Sequence, residues 1–541
     1  MHRAKSGFRL AARLYVPGSG HFVTWLLLVI VLLSFVLSPV TGDAAGPEFV
    51  WCGAVTPNSA RFKARLPVEG AVGRIAYTTQ PGLTGLVLSS FDTAFAATND
   101  RVIDIILDSL IPATTYHYAV EVDGILDTLK RGQFMTFHPY GASFFTIGLG
   151  SCANTGSNHA VFQTIRAHQP LLFLHLGDFH YQNIAVNDAN VFRSAYRTVL
   201  ASVNQSLLYR STTVDYVWDD HDYGPNNSDS TAPGRIASRL TYQEYVPHYP
   251  LAAGFGDIPI YHTFTIGRVA FIVTDSRSAR SPASAADNAA KTMLGVTQKA
   301  WFKEQLLTYQ DDFPLIVWAN TLPWIGATGD DGWHLYTNER REIADFIKDS
   351  GITGLCMVSG DAHMLAIDNG TNSGYATGGG GGFPVLHAAA LDRTGSVKGG
   401  PYSHGAFPGG GQFALMTVID SGGSTITVQW SGRTSANTQR VGYTFTVPAE
   451  ALPCDCGHHG EVAGEDGEIN ALDVVAVIDH VFRGGVAPKR DLACPHLNRG
   501  DVNCDAVNNV LDVVRYIDVA FRGGATLCQP CECAPYPAVC Q

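Results

Sequence analysis

Between residues 143 and 448 the sequence alternates short apolar runs with longer stretches of mixed polarity. Phe144 to Leu149, Leu171 to Leu176 and Gly354 to Ser359 have the length and composition of buried strands, and Glu339 to Asp349 has those of a helix. Buried strands interleaved with helices are typical of an α/β layered fold, because the helices cover the faces of a largely parallel sheet. We therefore predict an α/β domain over residues 143–448.

Residues 46–138 show a different pattern, in which short alternating apolar stretches are broken by Gly, Pro, Asn and Asp. Ala60 to Leu66 and Val102 to Leu107 are examples. This alternation predicts a small all-β sandwich. The stretch from Leu110 to Val120 resembles the fibronectin type III pattern, in which a turn places a tyrosine at a strand corner, and we expect Tyr116 to pack there.

Residues 1–45 begin with scattered Arg and Lys, continue with an apolar run from Phe22 to Leu37 and end in small residues. This order is typical of a secretory signal peptide. The alternative is an uncleaved anchor, but the run is shorter than the roughly 20 apolar residues that cross a bilayer, which favours cleavage. We expect the rest of the chain to be secreted, periplasmic or on the cell surface, with no membrane contact unless this segment is uncleaved.

The formal net charge of -12 and the isoelectric point near 5.8 argue against a nucleic-acid-binding surface. Binding along a phosphate backbone requires clustered Lys and Arg side chains. The sequence after the N-terminal segment has no such cluster. We therefore expect no nucleic-acid partner.

Residues 454–541 predict a small all-α domain built from two repeats. Most of the cysteines lie here, as in a disulfide-rich exported domain, although their pairing cannot be deduced from spacing. Leu472 to Gly485 is repeated at Leu511 to Gly524, which indicates a duplication.

A calcium loop precedes the second repeat. Oxygen-bearing side chains occupy its positions 1, 3, 5, 9 and 12, which is the spacing of a calcium-binding loop. They belong to Asp501, Asn503, Asp505, Asn509 and Asp512. The segment resembles a type I dockerin repeat, which implies bound Ca²⁺ and a cohesin-like or cell-surface partner. Ala506 replaces the usual glycine and the first copy lacks early ligands, so a helix pair held by disulfides without calcium is the alternative.

Four short polar motifs follow apolar runs of the central region. They are Gly150-Ser-Cys152, Gly177-Asp-Phe-His-Tyr181, Trp218-Asp-Asp-His-Asp222 and Ser359-Gly-Asp-Ala-His363. Sites in α/β sheets form where strands end, so we expect these motifs to converge. Hydrolysis of a phosphate ester requires an activated water and neutralised phosphoryl oxygens, and two cations roughly 3.5–4 Å apart supply both. The motifs therefore predict a two-metal phosphoesterase.

The residue types predict two different cations. Asp178, at a strand end, is expected to bridge them, and Tyr181 is expected to return to the same ion. A thiolate from Cys152 together with a phenolate suits ferric iron. Asp220 and Asp361 supply the oxygen ligands that calcium or magnesium prefers. We expect Asp219 and Asp222 to orient their neighbours or cap turns, not to bind metal.

In their order, the four motifs resemble the PhoD-like alkaline phosphatases, relatives of the purple acid phosphatases with the metallophosphoesterase fold. The resemblance implies a core of two β-sheets flanked by helices. It implies ferric iron on Cys152, Asp178, Tyr181 and His363, and calcium or another divalent ion on Asp178, Asp220 and Asp361. It also implies a catalytic His221 beside the phosphate or leaving group and an Arg277 that contacts phosphate oxygens.

The expected function is hydrolysis of phosphate esters by metal-activated water. The alternative is a non-catalytic surface adhesion or scaffold protein that retains a phosphatase-like fold. The complete set of ligand types argues against that alternative. A serine hydrolase is excluded because no Gly-x-Ser-x-Gly elbow precedes a helix.

Overall fold

A computed structural model describes residues 46–450 and 471–483, together with positions 513, 514, 516, 517 and 521. The predicted signal segment and calcium loop lie outside these residues. No helix within the described ranges combines the length and the apolar character needed to cross a bilayer.

The first part of the described chain is a pair of antiparallel sheets. One contains β1 Phe49–Gly53, β2 Ala60–Arg65 and β6 Val102–Leu107; the other contains β3 Val72–Thr78, β4 Val87–Leu88, β5 Asp92–Thr93, β7 Thr115–Val122 and β8 Ile125–Met135. Phe62 of β2 packs edge-on against Tyr118 of β7, with 4.8 Å between ring centroids, so the two sheets share a core. Tyr116 is buried, and its hydroxyl accepts a hydrogen bond from the N–H of Ile111, as predicted for the strand corner.

Two larger sheets follow. The six-stranded sheet contains β9 Ser143–Gly150, β10 Leu172–Leu176, β11 Thr213–Val217, β19 Gln412–Asp420, β20 Thr425–Thr434 and β21 Gln439–Pro448. The seven-stranded sheet contains β12 His262–Ile266, β13 Val269–Val273, β14 Leu315–Ala319, β15 Leu355–Ser359, β16 Met364–Asp368, β17 Val385–Ala388 and β18 Ala406–Pro408. In the first sheet β9, β10 and β11 run parallel, and in the second β13, β14, β15 and β17 do so.

Helices connect and cover these strands. They are α1 Ala96–Asn99, α2 Ala160–Ala167, α3 Ala189–Leu200, α4 Val203–Ser211, α5 Asp220–Tyr223, α6 Arg235–Tyr245, α7 Gly295–Asp312, α8 Thr337–Asp349 and α9 Ala471–Arg483. The mixed α/β core predicted from the alternating sequence pattern is therefore confirmed.

The central strands β13 and β14 of the seven-stranded sheet are apolar throughout because both of their faces are buried. In β14, Val317 packs into the core shared with the six-stranded sheet, and its neighbours Ile316 and Trp318 pack into a second core with the helices outside. Successive side chains of a strand point to opposite faces. A continuous apolar run is therefore required, as the sequence shows.

The described residues of the C-terminal repeats pack against one another. Val474 and Val477 of α9 form a small buried cluster with Val513 and Tyr516. These positions come from the two copies of the repeat. The calcium-loop residues lie outside the described part of the chain, so that prediction stays a prediction.

The N-terminal sheets are tied to the α/β core by a buried aromatic contact and an ionic one. Trp51 of β1 is fully buried, stacks on Phe179 at 5.8 Å and donates a hydrogen bond to the carbonyl of Tyr245. Asp100 binds Arg65 of β2 at 3.1 Å and Arg197 of α3 at 2.5 Å, and it accepts a hydrogen bond from the Tyr245 hydroxyl.

Replacement of Asp100 by Asn should lower stability. Burial tends to raise the pKa of Asp100, but the hydrogen bonds from Arg65 and Tyr245 and the positive charges hold it below its usual value. The ionised form therefore stabilises the folded chain above the unfolded pKa of about 4, and this contribution is lost as the pH falls through the folded pKa. At neutral pH we expect the midpoint of thermal unfolding to fall by roughly 2–5 °C in Asp100→Asn.

The exposed Asp108 supplies the control, and Asp108→Asn should leave the thermal midpoint unchanged. Below about pH 4 the difference between the wild-type protein and Asp100→Asn should shrink. A difference that is independent of pH would show that Asp100 stabilises the contact through something other than its charge.

Candidate metal centre

All four polar motifs begin where a strand of one of the two large sheets ends. Cys152 follows β9, Asp178 follows β10, Asp220 follows β11 and Asp361 follows β15. The motifs thus come from both sheets. They meet closely because position 360 has no side chain: a Cβ at Gly360 would lie 2.4 Å from the carbonyl oxygen of Leu176.

The backbone at these strand ends turns sharply. Cys152, Asp178, Asp361 and His363 all have positive φ angles, between 44° and 62°. Residues other than glycine seldom adopt this left-handed conformation, which costs roughly 1–2 kcal/mol each. Four such residues at one point indicate that packing forces the chain to direct these side chains inward.

The first group of side chains contains Cys152, Asp178 and His363, whose ligand atoms all lie within 4.8 Å of one another. Tyr181 joins them, since its hydroxyl donates a hydrogen bond to Asp178 Oδ2 at 2.5 Å and lies 3.0 Å from His363 Nε2. His363 Nδ1 lies 2.8 Å from the carbonyl of Thr394, which places the proton on Nδ1 and leaves the Nε2 lone pair directed at the group.

The second group adjoins the first through Asp178. Asp178, Asp220 and His221 offer ligand atoms within 4.8 Å of one another, and Asp219, Asp220 and Asp361 do the same. The backbone N–H of Asn227 donates a hydrogen bond to Asp220 Oδ2 at 2.5 Å. The two groups together form the double cluster, in which every predicted metal ligand is present.

Burial makes the charged forms of these ligands unfavourable. It raises the pKa of Asp178, and the charges of Asp220 and Asp219 raise it further. The pKa values of the Cys152 thiol and the Tyr181 phenol are raised by burial and then by Asp178. A cation at this point would reverse these shifts, because it favours each deprotonated form.

The double cluster fits a pair of metal ions. Asp178 Oδ1, Asp219 Oδ2 and Asp220 Oδ1 are buried and find no hydrogen-bond partner within the described part of the chain. Buried oxygens of this kind are normally paired, because an unpaired one loses its hydration without compensation. Ligand atoms bound about 2.0–2.3 Å from one ion lie within about 4.6 Å of each other, which agrees with the spacing found.

His221 belongs to the second group of the double cluster and lies next to Tyr181 of the first. Its ring lies over that of Tyr181 at 4.1 Å between centroids, and its Nδ1 lies 2.6 Å from the amide oxygen of Asn183. An amide oxygen only accepts hydrogen bonds, so Nδ1 carries the proton and Nε2 keeps its lone pair. Burial lowers the pKa of His221, which favours the neutral ring.

The expectation that Arg277 contacts phosphate oxygens bidentately stays a prediction, and the structure shows which groups its guanidinium now binds. Arg277 is fully buried, and its Nε donates to Asp219 Oδ1 at 2.5 Å while its Nη1 donates to Asp331 Oδ2 at 2.8 Å. Nη2 lies 3.8 Å from Asp220 Oδ1. Nε and Nη1 thus bind carboxylates that the sequence does not connect to Arg277, whereas Nη2 makes no hydrogen bond within the described residues.

Three residues near the double cluster were not predicted. Asn183 orients His221, Arg393 stacks over the Tyr181 ring at 4.0 Å, and Lys398 binds both oxygens of Asp361 at 2.9 Å. Each lies in a loop with no apolar periodicity. Two of the three are cations near a strongly acidic cluster, but sequence separation hides that proximity.

Substitution of Arg277 should reveal a structural role. Arg277→Met removes the cationic partner of the buried Asp219 and one of the two cationic partners of Asp331, and it should cost about 3–5 kcal/mol of stability. Arg277→Lys keeps the charge but cannot bind both carboxylates, so an intermediate loss is expected. Thermal unfolding measures the loss in each variant. Native stability of both variants combined with a raised KM would instead restore the phosphate-contact role.

Comparison with known proteins finds a family model that matches this region. The family model of the PhoD-like phosphatases matches residues 147–380. Alkaline phosphatase D of Bacillus subtilis (strain 168) is 22% identical over 309 residues, which cover 48% of this chain and 53% of the relative. The chain thus spans about half the length of that curated relative.

Solved structures show the same fold. The structure of PhoD superposes with a TM-score of 0.62 at 15% identity, covering 77% of this chain and 94% of the other. A purple acid phosphatase from yellow lupin (Lupinus luteus) seeds has a TM-score of 0.52 at 12% identity, covering 74% of each chain. Residues 147–380, which match the PhoD-like phosphatase model, carry every predicted ligand of the double cluster.

Proposed function

We propose that this chain is an exported, metal-dependent phosphoesterase that hydrolyses phosphate esters as an alkaline phosphatase or phosphodiesterase. One observation carries the proposal: a thiol, a phenol, an imidazole and buried carboxylates converge in the double cluster. Purely structural buried carboxylates would be paired with cationic side chains or N–H groups, whereas several oxygens here are unpaired. The family match over the same residues supports this class of reaction.

Ferric iron is proposed for the group formed by Cys152, Asp178, Tyr181 and His363, because a thiolate and a phenolate stabilise a hard, highly charged ion. Calcium, or another divalent ion, is proposed beside Asp220 and Asp361. Such a pair of cations, when bound, supplies an activated water and neutralises charge on the phosphoryl oxygens.

The protein's own groups orient the reaction. His221 has a lone pair on Nε2, and we assign to this atom the uptake of a proton from solvent and its transfer to the departing alkoxide. Asn183 fixes the ring by accepting from Nδ1. Arg277 and Thr321 hold Asp219 Oδ1, at 2.5 and 2.9 Å, which keeps the second group of carboxylates in place.

The remaining assignments extend the proposal to the rest of the chain. Residues 1–45 direct export, residues 46–138 form a fibronectin III-like sandwich, and residues 454–541 form a dockerin-like tail. The tail binds Ca²⁺ through the loop that begins at Asp501 and attaches the enzyme to a cohesin-like or cell-surface partner. The apolar contacts between the two repeat copies support a paired-helix tail.

The purified protein should contain iron and absorb visible light. Thiolate or phenolate bound to ferric iron gives a charge-transfer band, and the same sample should hydrolyse a chromogenic phosphate ester. Asp178→Ala should lose both metals, because this carboxylate adjoins both groups. Metal analysis checks this, with Asp108→Asn as the control. Colourless, iron-free, inactive protein expressed with iron available would favour the non-catalytic scaffold.

His221→Ala should retain its metals and lose turnover by about 10²–10⁴-fold, the usual contribution of a positioned acid or base. Asn183→Ala should cause a smaller loss, since the ring remains but its orientation is not fixed. The measurement is kcat alongside iron content in each variant. Loss of metal from His221→Ala would mean that His221 is a ligand, which its position near Asp178 and Asp220 allows.

A further inference from the structure

Lys398 binds Asp361, which is one of the carboxylates proposed for the second cation. Its Nζ is 2.9 Å from each oxygen of Asp361, and its side chain is only 18% exposed. Asp361 itself is buried and belongs to the second group of ligands with Asp219 and Asp220. Lys398 lies beyond residues 147–380, so it is outside the segment that the family model matches.

The position of Lys398 is built into its loop. The N–H groups of Gly399 and Gly400 donate to the carbonyls of Thr328 and Ile325, at 3.0 and 3.2 Å. The hydroxyl of Tyr402 donates to the carbonyl of Lys398 at 2.9 Å. Gly399 has a φ of 71°, and a Cβ there would lie 2.1 Å from Ile325 O, so the two loops touch without room for a side chain. These contacts fix the backbone of the loop, and the backbone in turn holds the ammonium group of Lys398 at Asp361.

A metal ion and an ammonium group at Asp361 oppose each other. Both use the same carboxylate oxygens, and two positive charges a few ångströms apart repel strongly where water is excluded. A second carboxylate, that of Asp330, lies 3.9 Å from Lys398 Nζ and is 71% exposed. When a metal ion binds Asp361, the ammonium group of Lys398 can pair with the solvent-exposed carboxylate of Asp330 instead.

We propose that Lys398 is a tethered cation that competes with the second metal ion for Asp361 and thereby weakens the affinity of that metal site. This inference rests on the proposed function, since it assigns a cation to the second group. Lys398 is a positioning residue that acts through Asp361. Its presence makes occupancy of the second metal site depend on the concentration of the free divalent ion.

The test is a calorimetric titration with Ca²⁺ alone, on the full-length chain depleted of divalent ions. Lys398→Met keeps the length of the side chain and removes its charge, and it should bind the second-site Ca²⁺ at least about tenfold more tightly than wild type. Lys398→Arg keeps the charge and should not. Lys299→Met, which breaks a similar pair with Glu342 on α7 and α8, is the matched control and should bind Ca²⁺ as wild type does.

The thermal midpoint provides a second readout. Without divalent ions, Lys398→Met should unfold at a lower temperature than wild type, because Asp361 loses its cation; with Ca²⁺ this difference should vanish. If Lys398→Met does not fold, Lys398→Gln, which can still donate to Asp361, takes its place. Unchanged or weaker Ca²⁺ affinity in the neutral variant overturns the inference. Tighter Ca²⁺ binding in a protein that hydrolyses no phosphate ester would sustain it and reject the proposed function.

Discussion

Repulsion among buried carboxylates governs the arrangement of this core. Asp178, Asp220 and Asp361 follow strands of two different sheets, and Asp220 lies close to each of the other two. Two negative charges about 4 Å apart repel by about 4 kcal/mol at an effective dielectric constant near 20. The positive charges of Arg277, near Asp220, and of Lys398, on Asp361, offset part of this repulsion. The unpaired oxygens belong to carboxylates of the double cluster, where bound cations would neutralise the remaining negative charge.

Several residues of the double cluster have a backbone conformation that is locally unfavourable. Cys152, Asp178, Asp361 and His363 lie in the left-handed region, which residues other than glycine seldom adopt. Sheet packing and the hydrogen bonds that follow each strand, such as that from the N–H of Cys152 to the carbonyl of Gly177, impose the conformation. The free energy stored there is small beside that of two buried sheets, so the fold tolerates it.

Much of the fold and of the ligand set could be predicted from the sequence, because both depend on local patterns. Apolar runs mark strands buried on both faces, and a polar residue directly after such a run must lie at a sheet edge. The partners of Arg277 could not be predicted, since Asp219 and Asp331 approach it only through the crossing of separate strands and loops. Asn183, Arg393 and Lys398 lie in loops whose paths depend on tertiary contacts.

The packing of Trp51 determines whether the N-terminal sheets can be separated from the α/β core. Its indole fills the space against Phe179, the residue directly after Asp178, and donates to a carbonyl at the end of α6. In other proteins, recombination can add or remove an N-terminal domain that makes no such contact. Here, excision would leave a cavity against Phe179, so the sandwich and the α/β core are expected to be inherited, expressed and replaced only as one unit.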